Sequence, residues 1–165
     1  MKYIGAAVMP AFLSVYSIMI SLRLRKRAEI LDKTFLMLNE IKIMLEYSCP
    51  SMYELIQMLA EKECYMGMFT SECKKELEEG IDFPAAWSSA VEKYGIYKKE
   101  ERDKLIQLGS LLGTSDLESQ LSVLQMYIIS FDAFRKDAQV KNQKYAGTSV
   151  FVGTFCAFGL FVMLI

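Results

Sequence analysis

Twenty carboxylates and not one histidine set the chemical reach of this 165-residue sequence. Without an imidazole, Ser-His-Asp and Cys-His catalysis are excluded, and so is every histidine-ligated metal site. The cysteines, Cys49, Cys64, Cys73 and Cys156, form no CxxC pair. Their spacing therefore points to neither a zinc site nor a redox dithiol, and they read as small apolar packing residues. There is no phosphate cradle, because GxxxxGK followed by Ser or Thr is missing, and no nucleophile stands beside a base. Carboxylate pairs are plentiful, but each reads as helix surface and nothing gathers two of them in a cleft. The expectation is a chain with no catalysis, no cofactor and no metal.

Recognition chemistry is what remains, and two stretches could supply it. The first is Leu112-Gly113-Thr114-Ser115-Asp116-Leu117-Glu118-Ser119-Gln120. Glycine relieves left-handed strain there, while Thr114, Ser115 and Asp116 compete to cap the exposed amides of a following helix. Such an N-terminus can also bind a phosphate or a partner's carboxylate, although caps of this kind are common as plain structure. The second is Glu61 to Asp82, with seven acids against three bases. A charge run is ordinarily a solvated helix face. The alternative is a docking face for a basic partner, with Glu72, Glu76 and Glu79 as its candidates. Between Arg23 and Lys144 the charge sums to −2, which speaks against nucleic acid.

Those residues must be held by something, and hydropathy shows what. Mean hydropathy is +0.21 with 24% charged residues, so greasy and charged segments are separated. Tyr3 to Leu22 and Tyr145 to Ile165 carry no Asp, Glu, Lys or Arg. Each would span roughly 30 Å as a helix, the hydrocarbon thickness of a bilayer. Residues 1–22 and 145–165 are therefore expected to be transmembrane helices around a 23–144 domain. Arg23, Arg25, Lys26 and Arg27 follow the first run, and Arg135, Lys136, Lys141 and Lys144 precede the second; the outer flanks offer only Lys2. That asymmetry places the middle in the cytoplasm and both termini outside, with the chain ending at Ile165 and nothing folded beyond. Basic clusters beside the spans fit anionic lipid. Small residues at Ser149, Gly153 and Ala157, and at Ala7, Ala11, Ser14, Ser17 and Ser21, would let the spans pack together or with copies of themselves, so a homo-oligomer is possible. Neither run contains an ionisable group for an ion or proton pathway.

Between the spans, caps and 3.6-residue periodicity draw six helices. The first covers about Leu24 to Tyr47, with Leu31, Phe35, Leu38, Ile41 and Leu45 on its inner stripe. Ser51 to Glu54 is a capping box opening the second. The third runs from about Met66 to Glu79 and ends at Gly80, with Phe69, Cys73 and Leu77 inward. Asp82 N-caps a fourth that carries Pro84, Trp87, Val91 and Tyr94 and ends at Gly95. The fifth runs from about Lys98 to Leu112 and closes at Gly113. Ser115 to Glu118 reads as a second capping box, opening a long helix through Lys144 with Leu117, Leu121, Leu124, Ile128 and Phe131 as a seam. Linkers this short force an all-α, antiparallel six-helix bundle. No breaker separates the outer two helices from the spans.

The whole chain resembles the stage III sporulation protein AB family. The resemblance rests on the order of an N-terminal span followed by RLRKR, a helical domain with Pro84-Ala85-Ala86-Trp87, the Leu112 to Asp116 turn with Gln120 after it, and a C-terminal span. It implies a mother-cell membrane protein of the channel-like complex between mother cell and forespore. Members are similar to the cytoplasmic domain of the type II secretion inner-membrane platform protein F, a six-helix bundle. The implied partner is the complex's secretion-type ATPase, stage III sporulation protein AA, together with other membrane components. The expectation is a non-enzymatic platform that docks this ATPase through Gly113, Thr114, Ser115, Asp116, Gln120, Glu72, Glu76 and Glu79. The alternatives are a small membrane enzyme or transporter subunit, or a membrane adaptor unrelated to sporulation.

Overall fold

A computed structural model of the chain describes the backbone of residues 2–114 and 116–164 and the side chains of residues 19–114 and 116–144. It is all-helical, with no strand among the described residues. The order is α1 (Lys2–Tyr47), α2 (Met52–Glu61), a 3-10 turn (Glu63–Tyr65), α3 (Phe69–Glu78), α4 (Phe83–Tyr94), α5 (Lys99–Leu111) and α6 (Leu117–Leu164). The chain divides into two compact units. Residues 30–135 form one; residues 1–29 and 136–165 form the other, and α1 and α6 contribute to both. In the second unit Ala28 and Ala138 are buried, and Lys141 pairs with Asp137 one turn earlier at 2.7 Å. Among the described residues no helix is long and apolar enough to cross a membrane. The two runs expected to do so, 3–22 and 145–165, lie almost wholly outside the residues whose side chains are described.

Local chemistry sets each boundary of the 30–135 unit. The Ser51–Glu54 capping box forms: Ser51 Oγ accepts from the Glu54 N–H at 3.3 Å, and the Ser51 N–H donates to Glu54 Oε2 at 3.0 Å. Two orphan donors of α2 are thereby satisfied. α3 begins at Phe69, three residues later than its periodicity suggests. Gly67 takes φ +78 and Met68 is extended, so the chain first closes the 3-10 turn and then restarts. At its far end Gly80 at φ +87 lets the Ile81 N–H reach back to the Glu76 carbonyl at 3.1 Å. Asp82 occupies the α4 N-cap position and its carbonyl accepts from the Ala86 N–H, but its side chain makes no capping bond. Glu101 caps α5 from inside, its carboxylate accepting from the Lys98 N–H at 2.8 Å.

Cross-links between neighbours run in opposite directions along their helices, which marks them as antiparallel. Lys93 meets Glu72 while Ser89 meets Glu76. Gln107 meets Tyr127 while Lys104 lies over Phe134. Asp32 meets Arg135 while Lys42 meets Gln125. The core between these helices holds Leu31, Leu38, Ile41 and Leu45 of α1, Leu55, Ile56 and Leu59 of α2, and Leu124, Ile128 and Phe131 of α6. Each fully buried side chain of this size is worth about 1.5–3 kcal/mol. Phe35, expected inside, is half-buried: it lies at the seam with α6, where the Arg135 guanidinium stacks 4.3 Å above its ring.

At the centre stands Trp87, fully buried, with the Phe69 ring edge-on at 4.9 Å and its indole N–H donating to the Leu105 carbonyl at 2.7 Å. That bond ties α4 to α5. A second buried polar link joins Thr34 of α1 to the Tyr97 hydroxyl at 2.7 Å, just before α5.

Candidate functional site

The α5–α6 turn is bonded to itself. Gly113 at φ +80 turns the chain, and its N–H donates to the Gln120 side-chain oxygen at 3.2 Å. Thr114 Oγ1 donates to the Leu111 carbonyl at 2.9 Å. The cap of α6 is Asp116: its carboxylate accepts from the Ser119 N–H at 3.1 Å, and its carbonyl accepts from the Gln120 N–H at 3.0 Å. Ser119 thus holds the third helical position and Glu118 the second, so a single Asp116 cap stands where the box from Ser115 to Glu118 was expected. An aspartate in that place offers the exposed amides a full negative charge. Those amides hold its carboxyl below the ordinary carboxylate range. Ser115 itself lies outside the described residues.

Of the acidic candidates, two turn inward. Glu76 is buried, and one of its oxygens accepts from both Ser89 Oγ and Lys93 Nζ at 2.7 Å. Glu72, one turn back, meets the same ammonium at 3.2 Å. Two like charges four residues apart would repel, and Lys93 offsets this by sitting between them. The Lys93 ammonium, then the Ser89 hydroxyl, hold Glu76 below its ordinary pKa. Glu79 is exposed, at the C-cap of α3.

Alternating helix directions gather three turns at one end of the 30–135 unit: α1–α2, α3–α4 and α5–α6. Met52, the first residue of α2, lies so near the last of these that a Cβ built on Gly113 would stand 3.2 Å from its side chain. Glu79 and the Gly113–Asp116 turn therefore share an end, while Glu72 and Glu76 lie along the α3–α4 flank. Residues 45–55, 77–85 and 109–120, which build that end, hold Glu46, Glu54, Glu78, Glu79, Asp82, Asp116 and Glu118 and no lysine or arginine. All seven acids are exposed, beside exposed Tyr47, Tyr53, Ile81 and Leu117. The turn before α5, at the opposite end, carries Lys98 and Lys99. A one-signed surface of this kind attracts and orients an oppositely charged partner. Of these seven, the sequence marks only Glu79 and Asp116 as contact candidates, and Glu46 and Glu54 lie outside both of the stretches it singles out. The signal was there: in an alternating bundle every odd-numbered turn faces one way, and these three contain no base.

The stage III sporulation protein AB family model matches residues 2–165, the whole chain. The chain belongs to this family. Membership gives it a role related to sporulation. No curated protein and no solved structure matches it. Among the described residues no cluster of His, Cys, Asp or Glu could hold a metal ion.

Proposed function

We propose that this family member is a non-enzymatic, two-pass membrane platform of the sporulation channel complex, and that its acidic end receives the complex's secretion-type ATPase, stage III sporulation protein AA. The observation that carries the proposal is the convergence of three base-free turns bearing seven exposed acids on one end of the helical unit 30–135. The uncharged runs 3–22 and 145–165, and the basic residues that flank them on the side of the middle region, support a bilayer-spanning chain whose middle region is cytoplasmic. Docking through a charged end with aromatic and aliphatic side chains among its carboxylates gives fast, oriented association plus apolar contacts that hold the complex. Glu79 and the Gly113–Asp116 turn with Gln120 are contact positions in this reading; Glu72 and Glu76 act through the α3–α4 flank that supports them.

The test is association of the full chain in detergent with the purified ATPase. Binding should be measurable at low salt, weaken as ionic strength rises, and fall at least about tenfold when Glu79→Lys and Asp82→Lys are combined. Absence of association at low salt, or binding indifferent to that double reversal, would overturn the proposal.

A further inference from the structure

We propose that the outward face of α6 between Ser119 and Phe131 is a docking ridge for an amphipathic helix of a partner protein, one carrying carboxylates along the edges of its apolar stripe. Helices that face water ordinarily carry charge on their outer side. The short helices of this unit do so, with Glu54 and Glu61 exposed on α2, Lys75 and Glu78 on α3, Glu92 and Lys93 on α4, and Lys99 and Glu100 on α5. From Ser119 to Phe131, α6 has no charged residue at all. It exposes Met126 (67%) and Ile129 (62%) instead, three residues apart on one stripe, which is anchor spacing for a helix laid alongside.

Charge at the edges of the ridge selects the occupant. Lys42 of α1 borders one side, donating to Gln125 at 2.9 Å, and Lys104 of α5 borders the other, its ammonium 5.3 Å from the Phe134 ring centre. Both are half-buried, and neither has a carboxylate within ion-pair distance among the described residues. The half-buried bases Lys62, Lys74 and Arg135 each have one, Glu40, Glu61 and Asp32 respectively. Beside Lys104 a cleft of about 180 Å³, the size of one side chain, opens between Gln107, Met126, Tyr127 and Ser130. A carboxylate entering there would meet the Lys104 ammonium. A second copy presenting the same face would set lysine against lysine. Two apolar side chains and two lysines are too few to hold an anionic bilayer, where each base contributes only about 1 kcal/mol. The anchors Met126 and Ile129 lie beyond the acidic end, and the inference does not rest on the ATPase reading.

The test uses the full chain in membranes of sporulating cells, treated with a carbodiimide, which joins a lysine amine to a touching carboxylate as an amide with loss of water. Peptide mapping should find Lys104 or Lys42 joined to an aspartate or glutamate of a different protein. The yield should fall about tenfold in Met126→Asp and persist in Met126→Leu. Coupling only to a second copy of this chain, or no coupling at either lysine while Lys98 and Lys99 react, would overturn the inference. So would a photo-crosslinker placed at position 126 that labels lipid alone.

Discussion

Gly109 of α5 lies flat against the Trp87 indole: a Cβ at position 109 would stand 2.1 Å from Trp87 Cδ1. The indole N–H donates to the Leu105 carbonyl, one turn before that glycine, at 2.7 Å. The missing side chain therefore lets the ring lie close enough to reach the helix backbone. Trp87 is the one tryptophan in the sequence, so the contact is also its own reporter.

Gly109→Ala should destabilise the fold. Alanine gains up to about 1 kcal/mol of helix propensity, but displacing a ring packed on three sides costs about 1–3 kcal/mol, and at 2.1 Å the clash wins. Urea unfolding followed by Trp87 fluorescence should show a lowered midpoint with unchanged slope. An equal or raised midpoint would contradict the packing described.

The α6 cap makes a prediction of its own. Asp116→Ala removes the acceptor of the Ser119 N–H and should lower the melting temperature, whereas Asp116→Asn, which keeps an acceptor oxygen, should lower it less. If Asp116→Ala melts like the wild type yet loses the ATPase, its part is recognition and not capping.

Stability should fall on both sides of a broad plateau, for different reasons. Glu76 is held below its ordinary 4.5 by Lys93 and Ser89. Its contribution is complete above that value and is lost as pH falls through the lower folded one. On the alkaline side, burial pushes Tyr97 well above 10.0, Tyr65 from 10.0 to about 12 and Cys73 from 9.0 to about 12. The fold holds these groups neutral while the unfolded chain releases their protons, so stability is full below the ordinary values and falls as pH rises past them. Denaturation between about pH 5 and 9 should be nearly level, with losses outside that range. Tyr97→Phe should cost about 0.5–1.5 kcal/mol at neutral pH and flatten the alkaline loss, because Thr34 keeps its bond to the Ile30 carbonyl.

Thiol labelling tests the topology of the proposed platform. Cys49 and Cys64 are exposed and Cys73 is buried. An impermeant maleimide should spare all three in intact cells. After permeabilisation Cys49 and Cys64 should react, while Cys73, with its thiol pKa pushed up and no solvent access, should react only on unfolding. Labelling of Cys64 from the outer side of intact cells would invert the proposed orientation.

Helix number and punctuation are legible in the sequence, because capping and left-handed glycines are local. Ser51 with Glu54, Gly80, Gly95 and Gly113 act on backbone groups within a few residues, so the sequence alone carries them. Where a local rule had two solutions it slipped by a residue or a turn: Asp116 took the cap expected of Ser115, and Gly67 delayed α3 to Phe69. The sites depended on distance in space. Nothing local tells that Lys93 neutralises Glu72 and Glu76, that Arg135 rests on Phe35, or that Trp87 needs a glycine twenty-two residues later. Nor could the run from Glu61 to Asp82 reveal that three separated turns form a single acidic end. Which segments coil and where they stop follows from chain order, since those are hydrogen bonds between near neighbours. Only the antiparallel packing decided which charges meet, since Coulomb and contact forces depend on separations that chain order does not encode.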